Sequence, residues 1–164
     1  VSTASSCTTA SFDTSPTAER DLLALCAAPR WAREVAAGRP YGTLDALLDA
    51  ADRALTDADL DAAMAGHPRI GDRTAGGRSR REQGAVTAAG TDVLDALAAG
   101  NRAYEERFGH VYLVCATGRS AEDLLATLHA RLRHDPATER AVALAELAAI
   151  NRIRLRQLLS EEAA

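Results

Sequence analysis

Several residues combine a reactive side chain with a setting that calls for an explanation. Arg154 lies in a C-terminal segment whose apolar residues recur at helical spacing. Projected at about 100° per residue, it falls on the stripe of Leu147, Ile150 and Leu158, while Arg152 and Arg156 project to the opposite, solvent side. A guanidinium in an apolar stripe needs a partner. It either snorkels or pairs with a structural carboxylate, or it clamps a ligand carboxylate through two parallel N–H···O bonds. Glu82 stands three residues after Ser79 in Ser79-Arg80-Arg81-Glu82-Gln83, the spacing of a capping box. A helix N-terminus also offers N–H groups to an anion, so cap and ligand contact are compatible readings. His67, in Gly66-His67-Pro68, has an ordinary pKa of about 6.5 that suits proton transfer near neutrality, although a loop histidine is more often incidental. Of the other histidines, His110, His129 and His134, the last two flank a helix end, where the dipole favours a surface cation.

Other chemistries find little support. The three cysteines, Cys7, Cys26 and Cys115, lie far apart without metal-ligand spacing, which points to reduced thiols and no metal site. No G-x-S-x-G elbow is present. A formal net charge of -4, from 19 basic and 23 acidic residues that are interspersed, offers no basic field for nucleic acid or an anionic membrane. No window approaches the roughly 18 apolar residues of a membrane span. The stretch from Val1 to Ser11 has neither a basic start nor an apolar run, so it fails as a signal peptide. A disordered tail over residues 1–12, a folded domain over 13–161 and a cytoplasmic location are therefore expected.

The elements that must position these residues read as helices. Apolar residues make up 47% of the chain but aromatics only 4%, which suits close packing of Leu, Ala and Val between helices. Ser15-Pro16 opens a first short helix carrying Leu22, Leu23 and Cys26. Pro29 opens a second with Trp31 and Val35, and Thr43 caps a third with Leu44, Leu47, Leu48, Ala51 and Leu55. Thr56 caps a fourth through Leu60 and Met64, which stops at Gly66-His67-Pro68 because proline disfavours helical geometry in the residue before it. Residues 67–78 show no periodicity and form the longest irregular stretch. Helices are expected over 79–89 and 92–108, the latter ended by Gly109. The unbroken apolar run Val111-Tyr112-Leu113-Val114-Cys115-Ala116 suits strand or helix, and helix is favoured because no partner strand is visible. Ser120 caps the next helix, and Asp135-Pro136 opens a last long one to about Ser160. The expected fold is an all-α, single-domain bundle of about eight helices.

Taken together, Pro29-Arg30-Trp31, Arg39-Pro40-Tyr41, His67-Pro68-Arg69-Ile70-Gly71, Ser79-Arg80-Arg81-Glu82-Gln83, Asn101 to Gly109, Cys115-Ala116-Thr117-Gly118-Arg119-Ser120 and Ile153-Arg154-Leu155 resemble the 2-oxo-4-hydroxy-4-carboxy-5-ureidoimidazoline (OHCU) decarboxylases in order and spacing. The resemblance covers nearly the whole domain. It implies cofactor-independent formation of (S)-allantoin at the end of the urate-to-allantoin route of purine breakdown, a small anionic substrate and a homodimer. It also implies that His67 and Glu82 are catalytic, that Arg154 binds substrate, and that Pro68, Ser79, Gln83 and Val111 line the pocket. After Phe108-Gly109 the family usually carries another aromatic where this chain has His110, so a different pocket wall is expected there. From the residues alone, two other readings compete: a non-catalytic helical protein-interaction domain, with the Arg154 stripe as a binding groove, and hydrolysis by a His-Glu pair acting on water.

Overall fold

The computed structural model describes residues 9–71, 81–87 and 89–162. Among these residues the regular structure is entirely helical. The helices are α1 (Ala10–Thr14), α2 (Ala18–Leu25), α3 (Pro29–Ala37), α4 (Leu44–Ala54), α5 (Asp57–Ala65), α6 (Gly84–Thr87), α7 (Thr91–Phe108), α8 (Ala121–Arg131) and α9 (Pro136–Glu162). They gather into two compact units, the first of residues 1–63 and 148–164 and the second of 64–147, so that α9 contributes to both.

In the first unit, caps set where helices begin. The Thr43 Oγ1 accepts from Ala46 N–H, and Pro29 occupies the first turn of α3, where no N–H is missed. Thr56 donates its N–H and hydroxyl to Asp59, which closes the first turn of α5. α2 packs on α3 and α3 on α4. Their apolar faces bury Leu22, Leu25, Trp31, Val35, Leu47 and Leu48, and Trp31 Nε1 donates to the Ala51 carbonyl at 2.9 Å.

Two boundaries differ from expectation. The expected tail over 1–12 overlaps α1, because Phe12 is buried and draws the chain into a helical turn; residues 1–8 lie outside the described part. Helix α2 starts at Ala18, since the Ser15 hydroxyl accepts from Thr17 N–H in a turn before it.

In the second unit α7 packs on α8, and the two approach closely at Gly100, where a Cβ would overlap the Leu128 side chain. Gly109 ends α7 at φ 76°, and Ser120 caps α8 by accepting from Asp123 N–H. Ile70, Val86, Leu97, Tyr104, Tyr112, Val114, Leu124 and Leu128 form the core. Of the helix expected over 79–89, Arg81 and Glu82 are helical, Gln83 makes a turn and α6 follows, while residues 79, 80 and 88 lie outside the described part.

The helix expected over Val111–Ala116 is not formed; the run is irregular and mostly buried. Its backbone polar groups find side chains instead of a helical ladder. Arg131 Nη1 donates to the Leu113 carbonyl at 2.8 Å, and Cys115 N–H donates to the Glu146 carboxylate at 2.8 Å. Arg131 is 3% exposed and Glu139 0%, and they form a buried ion pair to which Tyr104 adds its hydroxyl. His134, expected at the surface, is half-buried and its Nδ1 meets Glu139 Oε2 at 2.9 Å.

Candidate active site

Within the second unit, His67 follows the end of α5, its N–H on the Met64 carbonyl at 3.0 Å, and both it and Pro68 are half-buried. The residues after them are gripped one by one. Arg69 makes a two-point ion pair with Glu105, Nε to Oε1 at 2.6 Å and Nη2 to Oε2 at 2.8 Å. The Ile70 carbonyl accepts from Asn101 Nδ2 at 2.9 Å, and Gly71 N–H, at φ +83°, donates to Gln83 Oε1 at 2.9 Å. Asn101 and Glu105 are one turn apart on α7, so a single helix face holds the segment that follows His67. The Arg69 guanidinium beside Glu105 holds that carboxyl below its usual range.

Gln83 is buried, and its amide is engaged with this backbone. Glu82 is half-buried next to it. Burial pushes the Cys115 thiol up, and the Glu146 and Glu82 carboxylates push it the same way, so Glu82 lies within electrostatic reach of the 111–116 segment. Val111 stands half-buried at the start of that segment. The structure thus brings Glu82, Gln83, the His67-Pro68 loop and the 111–116 segment into one unit. Beside the loop lies a cleft of about 400 Å³ lined by Arg69, Gly71, Leu94, Asn101, Arg102 and Glu105. Ser79 lies outside the described residues.

Arg154 belongs to the first unit, where it is 7% exposed and its Nη1 donates to the Leu25 carbonyl at 2.7 Å. The charge in the stripe is therefore buried and oriented. Arg152, expected to face water, is half-buried and paired with Asp52, because the acidic residues of α4 meet it. Arg156 is exposed. Among the described residues no group of His, Cys, Asp and Glu side chains could hold a metal ion. No described helix is long and apolar enough to cross a membrane.

His110 takes an aromatic's place: its ring stacks on Phe108, with centroids 6.1 Å apart, and meets Tyr104 edge-on at 5.6 Å. Sequence reasoning placed Asn101 and Glu105 in a family-like motif without giving either a role, and did not single out Arg131 or Glu146. Their partners are backbone groups or side chains remote in sequence, and neither periodicity nor local spacing carries that information.

The described fold is that of a small all-helical protein, with a polar cluster after α5 in one unit and a buried arginine of the last helix in the other. A family model for OHCU decarboxylase matches residues 14–156, and the chain belongs to this family. It is 31% identical to the 2-oxo-4-hydroxy-4-carboxy-5-ureidoimidazoline decarboxylase of Amia calva over 141 residues, 80% of this chain and 81% of that protein. The enzyme of the same name from Haloferax volcanii is 29% identical over 145 residues, again 80% of this chain, and 83% of that protein. The uric acid degradation bifunctional protein TTL of Arabidopsis thaliana is 27% identical over 149 residues, but this chain spans only 46% of its length. A crystal structure of OHCU decarboxylase in the presence of (S)-allantoin has the same fold, with a TM-score of 0.76 at 24% identity over 85% of this chain and 97% of that one. One of (S)-allantoin synthase gives 0.68 at 18% identity, over 92% of this chain and 53% of that one.

Proposed function

We infer that this protein is a carboxy-lyase that converts OHCU to (S)-allantoin, the closing step of urate degradation to allantoin, without a cofactor. Membership of the decarboxylase family across nearly the whole folded chain carries the reading. The substrate's chemistry agrees with so sparse a set of polar groups. The departing carboxylate sits on a carbon next to a C=N bond, which takes up the electron pair as CO2 leaves, so the electron sink is in the substrate. The same carbon bears a hydroxyl and becomes an enol, which loses its proton while the neighbouring carbon gains one on a single face.

His67 polarises or deprotonates that hydroxyl, a role worth about 10²- to 10⁴-fold for a positioned acid–base group. Glu82 orients ring or ureido N–H groups, and Pro68, Ser79, Gln83 and Val111 contribute to the walls around them. Arg154 anchors the anion; its burial and the fixed Leu25 contact support a guanidinium held in one orientation. The folded domain takes in α1 and runs to about residue 161, and the chain acts as a homodimer in the cytoplasm, which light scattering and cell fractionation test.

The decisive experiment supplies freshly hydrolysed 5-hydroxyisourate and follows optically active allantoin. Rapid appearance of the (S)-enantiomer is expected, and a time course equal to the uncatalysed one overturns the assignment.

A further inference from the structure

Asn151, in α9, is 2% exposed, and neither Nδ2 nor Oδ1 of its amide has a nitrogen or oxygen hydrogen-bond partner among the described residues. A buried carboxamide with both its donor and its acceptor unfilled weakens the fold, so its presence asks for a ligand. Asn101 also has an unfilled Oδ1, but its Nδ2 is used on the Ile70 carbonyl, which gives that side chain a structural role. Asn151 has no such use. The polar group beside it is the Cys26 thiol, whose pKa burial raises while a side-chain contact with the Asn151 amide and the charge of Arg154 pull it down. A thiol is too weak a partner to satisfy an amide. Asn151 and Arg154 are three residues apart on one helix, share a face, and both act on Cys26 at the end of α2.

We propose that Asn151 is a substrate-holding residue whose amide pairs, N–H to C=O and C=O to H–N, with a urea-type edge of the substrate, while Arg154 takes the carboxylate. The proposal rests on the decarboxylase reading. OHCU carries such edges in its ureido group and its oxo-substituted ring, and (S)-allantoin keeps them after the carboxylate has left. The two residues are therefore separable: Asn151 holds substrate and product alike, whereas Arg154 grips the group that only the substrate has.

The test measures KM for OHCU, Ki for (S)-allantoin as product inhibitor and melting temperature in the parent, Asn151→Leu, Asn151→Ala and Arg154→Lys. Leu is nearly isosteric with Asn, and Ala guards against overpacking by Leu. Both Asn151 variants are expected to raise KM and Ki about tenfold, the loss of a pair of neutral hydrogen bonds. Asn151→Leu should melt no lower than the parent, because an unsatisfied amide has been replaced by a matching apolar group. Arg154→Lys should lower kcat/KM while leaving Ki within about twofold, since a lost charge-assisted contact matters only where the carboxylate is present. Parent-like KM and Ki in both Asn151 variants overturn the proposal, as does a loss of binding that only accompanies a fall in melting temperature in both. A parent without turnover instead sinks the decarboxylase reading, so the two failures are distinct.

Discussion

His67 stands on a short segment in which the residues after it, Arg69, Ile70 and Gly71, are each held from α7 or by Gln83. His67→Ala is therefore expected to abolish accelerated (S)-allantoin formation while leaving helicity and melting temperature nearly unchanged. Circular dichroism of the protein and of the product reads both halves, and undiminished turnover removes His67 from the mechanism. For Arg154 the expectation is a steep loss on changing to Lys, because the planar fork is lost while the charge stays. A charge-assisted hydrogen bond of about 1.5–3 kcal/mol is at stake, or roughly ten- to a hundredfold in kcat/KM. The matched control is Arg156→Lys, since Arg156 is exposed, whereas Arg152 is tied to Asp52 and is unsuitable. At His110 the ring contacts with Phe108 and Tyr104 are those an aromatic would make. His110→Phe should retain at least about half of the parent's turnover, because the swap preserves the edge-to-face and stacked packing.

At the scale of elements, the irregular 111–116 run shows how a buried segment without a ladder is stabilised. Its carbonyl at Leu113 and its N–H at Cys115 meet Arg131 and Glu146, side chains of α8 and α9. Glu139 anchors Arg131 from the opposite side, and burial, which alone would raise the Glu139 pKa, is outweighed by hydrogen bonds from Arg131 and Tyr104 that hold it low. Glu139→Ala leaves the buried guanidinium, among the described carboxylates, with only the longer Glu146 contact, 4.0 Å from Nη1, and is expected to cost up to about 3–5 kcal/mol in urea unfolding. Glu139→Gln keeps a hydrogen-bonding oxygen and should cost less. Equal and small effects for both would show that the ion cluster contributes little to holding this segment.

For the whole molecule, acid sensitivity follows from carboxylates distributed over both units. Asp13 and Asp59 in the first unit, and Glu105 and Glu139 in the second, all have lowered pKa values. At Asp59, burial pushes upward, but the hydrogen bonds from Arg30 and Thr56 prevail. A lowered folded pKa contributes stability that is fully present above the unfolded value and disappears as pH falls through the folded one. With ordinary values of 3.8 for Asp and 4.5 for Glu, the melting temperature should be flat above the upper figure and fall steeply below it. Asp59→Asn should make that fall shallower, while lowering stability at neutral pH; an unchanged acid slope would exclude Asp59 from the linkage.

How much of this was legible beforehand follows from the range of the forces involved. Helix starts at Thr43 and Ser120 and the stop at Gly109 are local events, set by a side chain within three residues or by a backbone angle that glycine adopts freely, so the sequence alone determined them. The burial of Arg154 was legible for the same reason, because helical periodicity is a property of neighbours along the chain. The fold class and the family followed from such patterns in series. The 111–116 run has a pattern that suits a helix yet is irregular, since its hydrogen bonds go to Arg131 and Glu146, which local pattern cannot see. Arg152's pairing with Asp52, a hundred residues away, and the unfilled amide of Asn151 likewise exist only once remote segments meet. Which polar groups are satisfied, and by whom, is decided by tertiary packing, because burial removes the water that would otherwise serve every one of them.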